Sequence, residues 1–419
     1  MKKSLSALMI VLCIAINSYT LETNEKASSS VDFMKKDTIS FSSAYLEGCY
    51  TNKQLANFNL EFLRTSERLL DCIPEGYSGS TMLKDATWFL LFIFNMAGST
   101  TLHEIGHGLR AKSYGIDFML MEDMDDDKSF HKDENYFNFF FKSLFNTNRA
   151  ACSADETEQL NLENYFVNSG KIDEWYNFDI IFSAGGINNN TYLAEKISDD
   201  IHFKNSNTKF LSYVSYIYDL LYGAMYDKTA KKSGDDPYNI INDFNLKGRD
   251  DFKKGTISDA GIKSLFLSAT TYSFFYFMFT NKPMAKPYGF RLPDVFPYIT
   301  TKGMSYKVVS GYEASKTLNL IFGFESVFGK EAATEINLGL NHQVSIYTFP
   351  ISYKGIATFG QGLDLELSCL TPISKYFDIG LGCEIYSVTS LMGQRHATTN
   401  MKEGTGQSKN LFAFIQYRY

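Results

Sequence analysis

His103, Glu104 and His107 stand in the order His-Glu-Ile-Gly-His, and no other stretch of this chain has a more specific chemical reading. Residues four apart on a helix share one face, one turn from each other. Two neutral imidazoles so placed can hold Zn²⁺, and the intervening glutamate can act as general base on a water beside the metal. Histidine is scarce here, six in 419 residues, so the pattern is not a product of a histidine-rich composition. Leu102, Ile105, Gly106, Gly108 and Leu109 are uncharged, which lets such a helix be buried.

A catalytic zinc needs a third protein ligand and one open position. A metzincin arrangement is excluded, because its glycine and third histidine would fall on Arg110 and Ser113. Three downstream acids remain as candidates. Asp236 precedes Pro237, a setting that equally suits a helix N-terminus. Asp219 sits among Tyr216, Ile217, Tyr218, Leu220 and Leu221, where a buried carboxylate needs a partner. Glu195 pairs with Asp199 on one helical face. The expected ligand set is His103, His107 and Asp236, with Asp219 and Glu195 as alternatives, and the expected cofactor is Zn²⁺.

The wider run His103-Glu104-x-Gly106-His107-x-x-x-Ala111-x-x-x-Gly115 resembles the site-2-protease (M50-like) class of membrane-associated zinc metallopeptidases. Ala184-Gly185-Gly186-Ile187-Asn188-Asn189 is similar to the Ala-Gly-Pro-x-x-Asn motif of that class, with Gly186 in the proline position. The resemblance covers roughly residues 80–240. It implies peptide-bond hydrolysis with Glu104 as base, a small residue where a second helix approaches, and Asn189 near the metal positioning substrate. Asn188 or Asn189 would donate to the developing oxyanion. The third motif of the class, Asn-x-x-Pro followed by Leu-Asp-Gly, has no recognisable counterpart. No Gly-x-Ser-x-Gly elbow and no Cys-x-x-Cys pair occurs, so neither a serine nucleophile nor a thiolate zinc site is indicated.

The elements that would position these residues follow from composition and periodicity. Lys2 and Lys3 ahead of an apolar run, with small residues near position 18, read as a secretory signal over residues 1–18. Residues 19–40 are a polar leader. Residues 41–282 read as a helical metallopeptidase domain, with apolar helical segments at 53–72, 86–109, 178–187, 210–226 and 262–279. Pro283, Pro287, Pro293, Pro297 and Gly303 mark a linker at 283–302. Residues 303–419 alternate polar and apolar side chains in short runs and read as an antiparallel β domain, barrel-like or strongly curved. The last run, Leu411 to Tyr419, resembles the C-terminal strand of outer-membrane β-barrels. The fold class expected is therefore α+β.

Net charge is −7 with no basic stripe, which argues against nucleic acid as a partner. The expected partners are a protein or peptide substrate and membrane lipid. The 36 Phe and 27 Tyr suit β-structure, membrane interfaces or a large apolar core. Cys49–Cys72 is the first pairing to test among the cysteines. Asp123, Asp125, Asp127 and Glu134 match a calcium-loop template except that Lys128 replaces its glycine, so a solvated acidic loop is the simpler reading. Together these features point to a zinc metallopeptidase of the bacterial cell envelope, with the outer membrane as the expected location. The alternative is an outer-membrane or structural envelope protein whose HExxH no longer turns over peptide.

Overall fold

The computed structural model describes residues 38–43, 51–71, 80–123, 130–133, 150–203, 210–232, 234–280 and 286–418 (apart from 347, 348, 375 and 405), with a few single positions besides. The signal segment, Cys49, Cys72 and most of the calcium-like loop lie outside the described residues. The fold is α+β. A strand β1 (Thr38–Ser43) is followed by helices α1 (Asn52–Asp71) and α2 (Ser80–Ser113). Next come β2 (Phe118–Asp123), β3 (Phe130–Asp133), β4 (Ala150–Ala154), α3 (Glu156–Asn168), α4 (Ile172–Phe203) and α5 (Phe210–Thr229). Then α6 (Asp236–Leu246), α7 (Thr256–Leu267) and α8 (Ala269–Thr280) complete the helical region.

The remainder is a run of strands: β5 (Phe290–Thr300), β6 (Gly303–Ser315), β7 (Leu318–Val327), β8 (Ala333–Ile346), β9 (Phe349–Phe359), β10 (Leu363–Pro372), β11 (Phe377–Ser387) and β12 (Gln407–Arg418), with a short helix α9 (Leu391–His396) before β12. Successive strands pair antiparallel from β5 to β12, and β1 adds to the far side of β12. The order β1-β12-β11-β10-β9-β8-β7-β6-β5 leaves β1 and β5 as ends that do not pair with each other. The expected barrel is thus corrected: among the described residues this is an open nine-stranded sheet. Helices pack against both end strands, α1 on β1 and α4, α7 and α8 on β5.

The stretch 283–302, expected as a linker, carries β5 instead. Its prolines are tolerated because β5 is an end strand, where a missing N–H breaks no ladder on the open side. Phe296, Tyr298 and Ile299 of β5 are buried. Phe296 and Tyr298 share one apolar core with Leu102 and Ile105 of α2, Tyr192 and Ile197 of α4, and Tyr213 and Tyr216 of α5. The helical and sheet regions therefore bury a common core.

α2 is 34 residues long. It ends where Gly115, at φ +79°, takes the left-handed conformation that non-glycine residues avoid. Its middle, from Ala97 to Ala111, is enclosed by α1, α4, α5 and β4. No described helix is long and apolar enough to cross a membrane.

Candidate metal centre

The two histidines of α2 point their Nε2 atoms at one carboxylate. His103 Nε2 lies 3.0 Å and His107 Nε2 3.2 Å from Asp236 Oδ2. One ligand atom from each of the three residues falls within 4.8 Å of the others, a spacing that fits a shared metal ion. Among the described residues this is the one such group. His103 and His107 are buried and Asp236 is nearly so.

Asp236 reaches this position because the helix start is divided between two acids. Asp235 is the N-cap of α6, and its carboxylate accepts from the backbone N–H groups of Lys231 and Lys232. Asp236, the first helical residue, is left to turn towards α2. Pro237 behind it supplies the fixed φ that suits a first turn. The Tyr226 hydroxyl sits 3.4 Å from the Asp236 backbone nitrogen and fastens α6 to α5.

Each imidazole is oriented through its second nitrogen. His107 Nδ1 lies 2.7 Å from the Phe182 carbonyl oxygen, which accepts only, so Nδ1 carries the proton and Nε2 is free to ligate. His103 Nδ1 lies 2.8 Å from Asn190 Oδ1. The Asn190 amide in turn donates to Asp219 Oδ1 at 3.1 Å and to the Ser99 carbonyl at 3.3 Å. That donation fixes which way the Asn190 amide faces, and hence makes Oδ1 the acceptor from His103. Asp219 is buried, and burial pushes its carboxyl up to about 7 against the opposing hydrogen bonds from Asn190 and Ser99.

Two close approaches make this geometry possible. Gly185 of α4 packs against Gly106 of α2 so tightly that a Cβ on Gly185 would stand 2.5 Å from the Gly106 carbonyl oxygen. One residue on, a Cβ on Gly186 would stand 2.5 Å from His103 Nε2. Tyr222 of α5 closes the other side, its ring centroid 4.7 Å from that of His103.

Glu104 is buried beside the histidines. Burial raises its carboxyl above the ordinary glutamate value, with Asp236 adding to the rise and the two histidines and the Cys152 backbone N–H opposing it. The Cys152 contact places Glu104 against β4, an end strand of the small sheet β3-β2-β4. For His107, burial acts downward, but the Asp236 carboxylate outweighs it and lifts the imidazole to about 9. For Asp236, burial acts upward, and His107 and His103 outweigh it, holding the carboxyl well below the usual range. His107 and Asp236 thus stabilise each other's charged forms.

The remaining sequence candidates are elsewhere or in other roles. Glu195 accepts from the Tyr298 hydroxyl and from Lys307 Nζ, each at 2.7 Å, and joins α4 to β5 and β6. Asp199 pairs with Arg291. Asp219 acts on His103 through Asn190 rather than directly. Asn188 exchanges hydrogen bonds with the Ile299 backbone, and Asn189 donates to the Leu102 carbonyl at 2.9 Å. Asn190, which the motif comparison does not single out, is the asparagine that meets His103. Consecutive residues on a helix point about 100° apart, and of the three asparagines it is Asn190 that faces His103. Its signal is its spacing: Asn190 lies four residues after Gly186, and both face His103.

No family model matches this chain, and neither a curated protein nor a solved structure is found similar to it.

Proposed function

We propose that this chain is a zinc-dependent metalloendopeptidase of the bacterial cell envelope. The observation that carries the reading is the convergence of His103 Nε2, His107 Nε2 and an Asp236 oxygen within 4.8 Å, with Glu104 next to the first ligand on the same helix. Two imidazoles and one carboxylate form a three-ligand set of the kind used by catalytic zinc, which leaves a position for water or substrate. When bound, such an ion polarises a carbonyl and lowers the pKa of a water. His103, His107 and Asp236 would hold the ion. Glu104 takes the proton of the attacking water and delivers it to the leaving amine.

Peptide as the substrate class is supported by β4. Its Cys152 backbone N–H reaches Glu104, so among the described residues the base stands beside an end strand of the small sheet, the kind of element extended peptides pair with. The close passage of α2 over α4 at Gly106 and Gly185 supports the likeness to the site-2-protease class. The envelope reading rests on the residue 1–18 pattern.

The experiment is metal analysis of the purified full chain with its His103→Ala and Glu104→Gln variants, followed by cleavage assays on casein. Stoichiometric zinc in the parent and in Glu104→Gln, lost in His103→Ala, with cleavage in the parent alone, is the expected result. A parent that neither contains zinc nor takes it up on titration sinks the proposal. Zinc without any cleavage would instead favour a structural envelope protein with a non-catalytic site.

A further inference from the structure

The large sheet is built inside out relative to a sheet that folds in water. Strand side chains alternate between faces. One row across the sheet, Leu320, Leu340, Gly355, Leu367, Cys383 and Leu411, lies on the outward face. Displaced by one residue, Glu366, Glu384 and Asn410 lie on the opposite, covered face. That pattern repeats along the strands. From β6 to β11 no outward position is Asp, Glu, Lys or Arg; β8 brings one imidazole, His342, bonded to Tyr353, and β12 brings Lys409 near its start. Outward leucines and isoleucines are widely accessible, among them Leu338 at 49%, Leu367 at 45% and Leu381 at 61%.

The covered face holds the charges. Arg395 of α9 pairs with Glu325 through both guanidinium nitrogens, Lys53 of α1 with Glu366, and Lys307 with Glu195. Covering ionic groups while leaving leucine exposed costs free energy on both counts in water. The same arrangement is favourable where the surrounding medium is hydrocarbon. The dimensions agree. Outward apolar side chains on β11 run from Phe377 to Ile385, about 27 Å at ~3.4 Å per residue. A tilted membrane strand needs roughly 9–11 residues to cross the hydrocarbon, and the Phe377–Ile385 stretch is of that length. Unpaired strand edges are not tolerated in lipid. Here α1 packs on β1, and α4, α7 and α8 pack on β5. Phe275 and Phe279 of α8, which packs on β5, are exposed as well.

We propose that the outward face of β6–β12 is a lipid-contacting surface whose partner is the hydrocarbon of a bilayer. A second copy of the chain is the weaker occupant, because protein interfaces carry roughly one hydrogen bond per 100–200 Å². Away from its rim this face offers few side-chain donors or acceptors, chiefly His342 and Tyr353, which bond each other. The proposal stands on the polarity of the sheet and does not depend on the metal centre.

The test uses the full chain and vesicles of phosphatidylethanolamine and phosphatidylglycerol. The parent is expected to float with the vesicles and to remain after an alkaline carbonate wash. In Leu367→Trp and Leu381→Trp, the emission added over the parent is quenched by lipids with brominated acyl chains. The emission added by Leu160→Trp, at an exposed position on α3, is not quenched. Leu367→Arg lowers the equilibrium constant for the folded, inserted state about 30- to 700-fold, the factor expected for a cation at mid-bilayer depth. A parent that stays in solution without vesicles or detergent overturns the proposal. So does a floated Leu367→Trp variant whose added emission is unquenched, or a soluble dimer that Leu367→Arg splits.

Discussion

Gly185 lies against Gly106 with no room for a side chain between them, and that contact sets the distance between α2 and α4. At this separation α4 brings three things to the histidines of α2 at once: the Phe182 carbonyl, the bare backbone at Gly186 and the amide of Asn190. Gly186 is the more sensitive probe of the site, because its missing Cβ is where the His103 ring packs. Gly186→Ala is expected to displace that ring and cost about 1–3 kcal/mol through overpacking. Metal titration followed by calorimetry checks it. The expected outcome is a loss of zinc affinity in a protein that still unfolds cooperatively.

Asn190 and Asp219 hold His103 from its Nδ1 side and are not part of the His103, His107 and Asp236 group. Replacing Asn190 with leucine, or Asp219 with asparagine, removes or reverses one link in that chain. Outer-shell changes of this kind typically weaken metal binding about 10- to 100-fold. Competition with a chromogenic chelator measures it. Unchanged affinity in both variants would show that His103 is oriented by packing alone.

Glu104 is expected to separate binding from turnover. Glu104→Gln keeps the size of the side chain and removes the base, so zinc stays bound while cleavage falls by about 10²- to 10⁴-fold. Single-turnover assays on a quenched fluorogenic peptide library read this directly. A variant that cleaves as fast as the parent assigns the base elsewhere.

A pH effect on stability is expected from two acids on α4 and α6 outside the ligand group. Burial pushes Asp179 of α4 up to about 8, with Asp243 and Glu163 adding to the rise. Burial also pushes Asp243 of α6 up to about 7, against a hydrogen bond from Asn242. An unfolded aspartate titrates near ~4. Between that value and 7–8 these two carboxyls hold more protons in the folded chain than in the unfolded one, so their contribution to stability falls as pH rises. Asp243→Asn should flatten this fall and stabilise the protein by on the order of 1 kcal/mol at alkaline pH. Thermal melts at pH 5.5 and 8.5 test it, and parallel curves for parent and variant would contradict it.

Much of this is legible in the residue order because it depends on local spacing. The i, i+4 histidines require only a helix to share a face, and α2 provides one. Alternation from Glu335 to Leu340 and from Leu363 to Leu367 requires only a strand, and β8 and β10 provide it. Strand β9 does not stand out as one element, since Gly355 and Ala357 leave its outward face weakly patterned. Pro293 and Pro297 disguise β5, because proline marks a chain break and an end strand equally well.

Long-range placement cannot be read that way. Asp236, Asp219 and Glu195 are chemically equivalent candidates along the chain, and only the approach of α6 to α2 places one of them at the histidines. The asparagine run is visible too, but which amide faces His103 depends on the rotation of α4 about its axis. Residue order thus specified the chemical groups and the faces they share. Packing between elements distant in sequence decided which groups meet, because a ligand contact is won or lost over an ångström or two that no local pattern encodes.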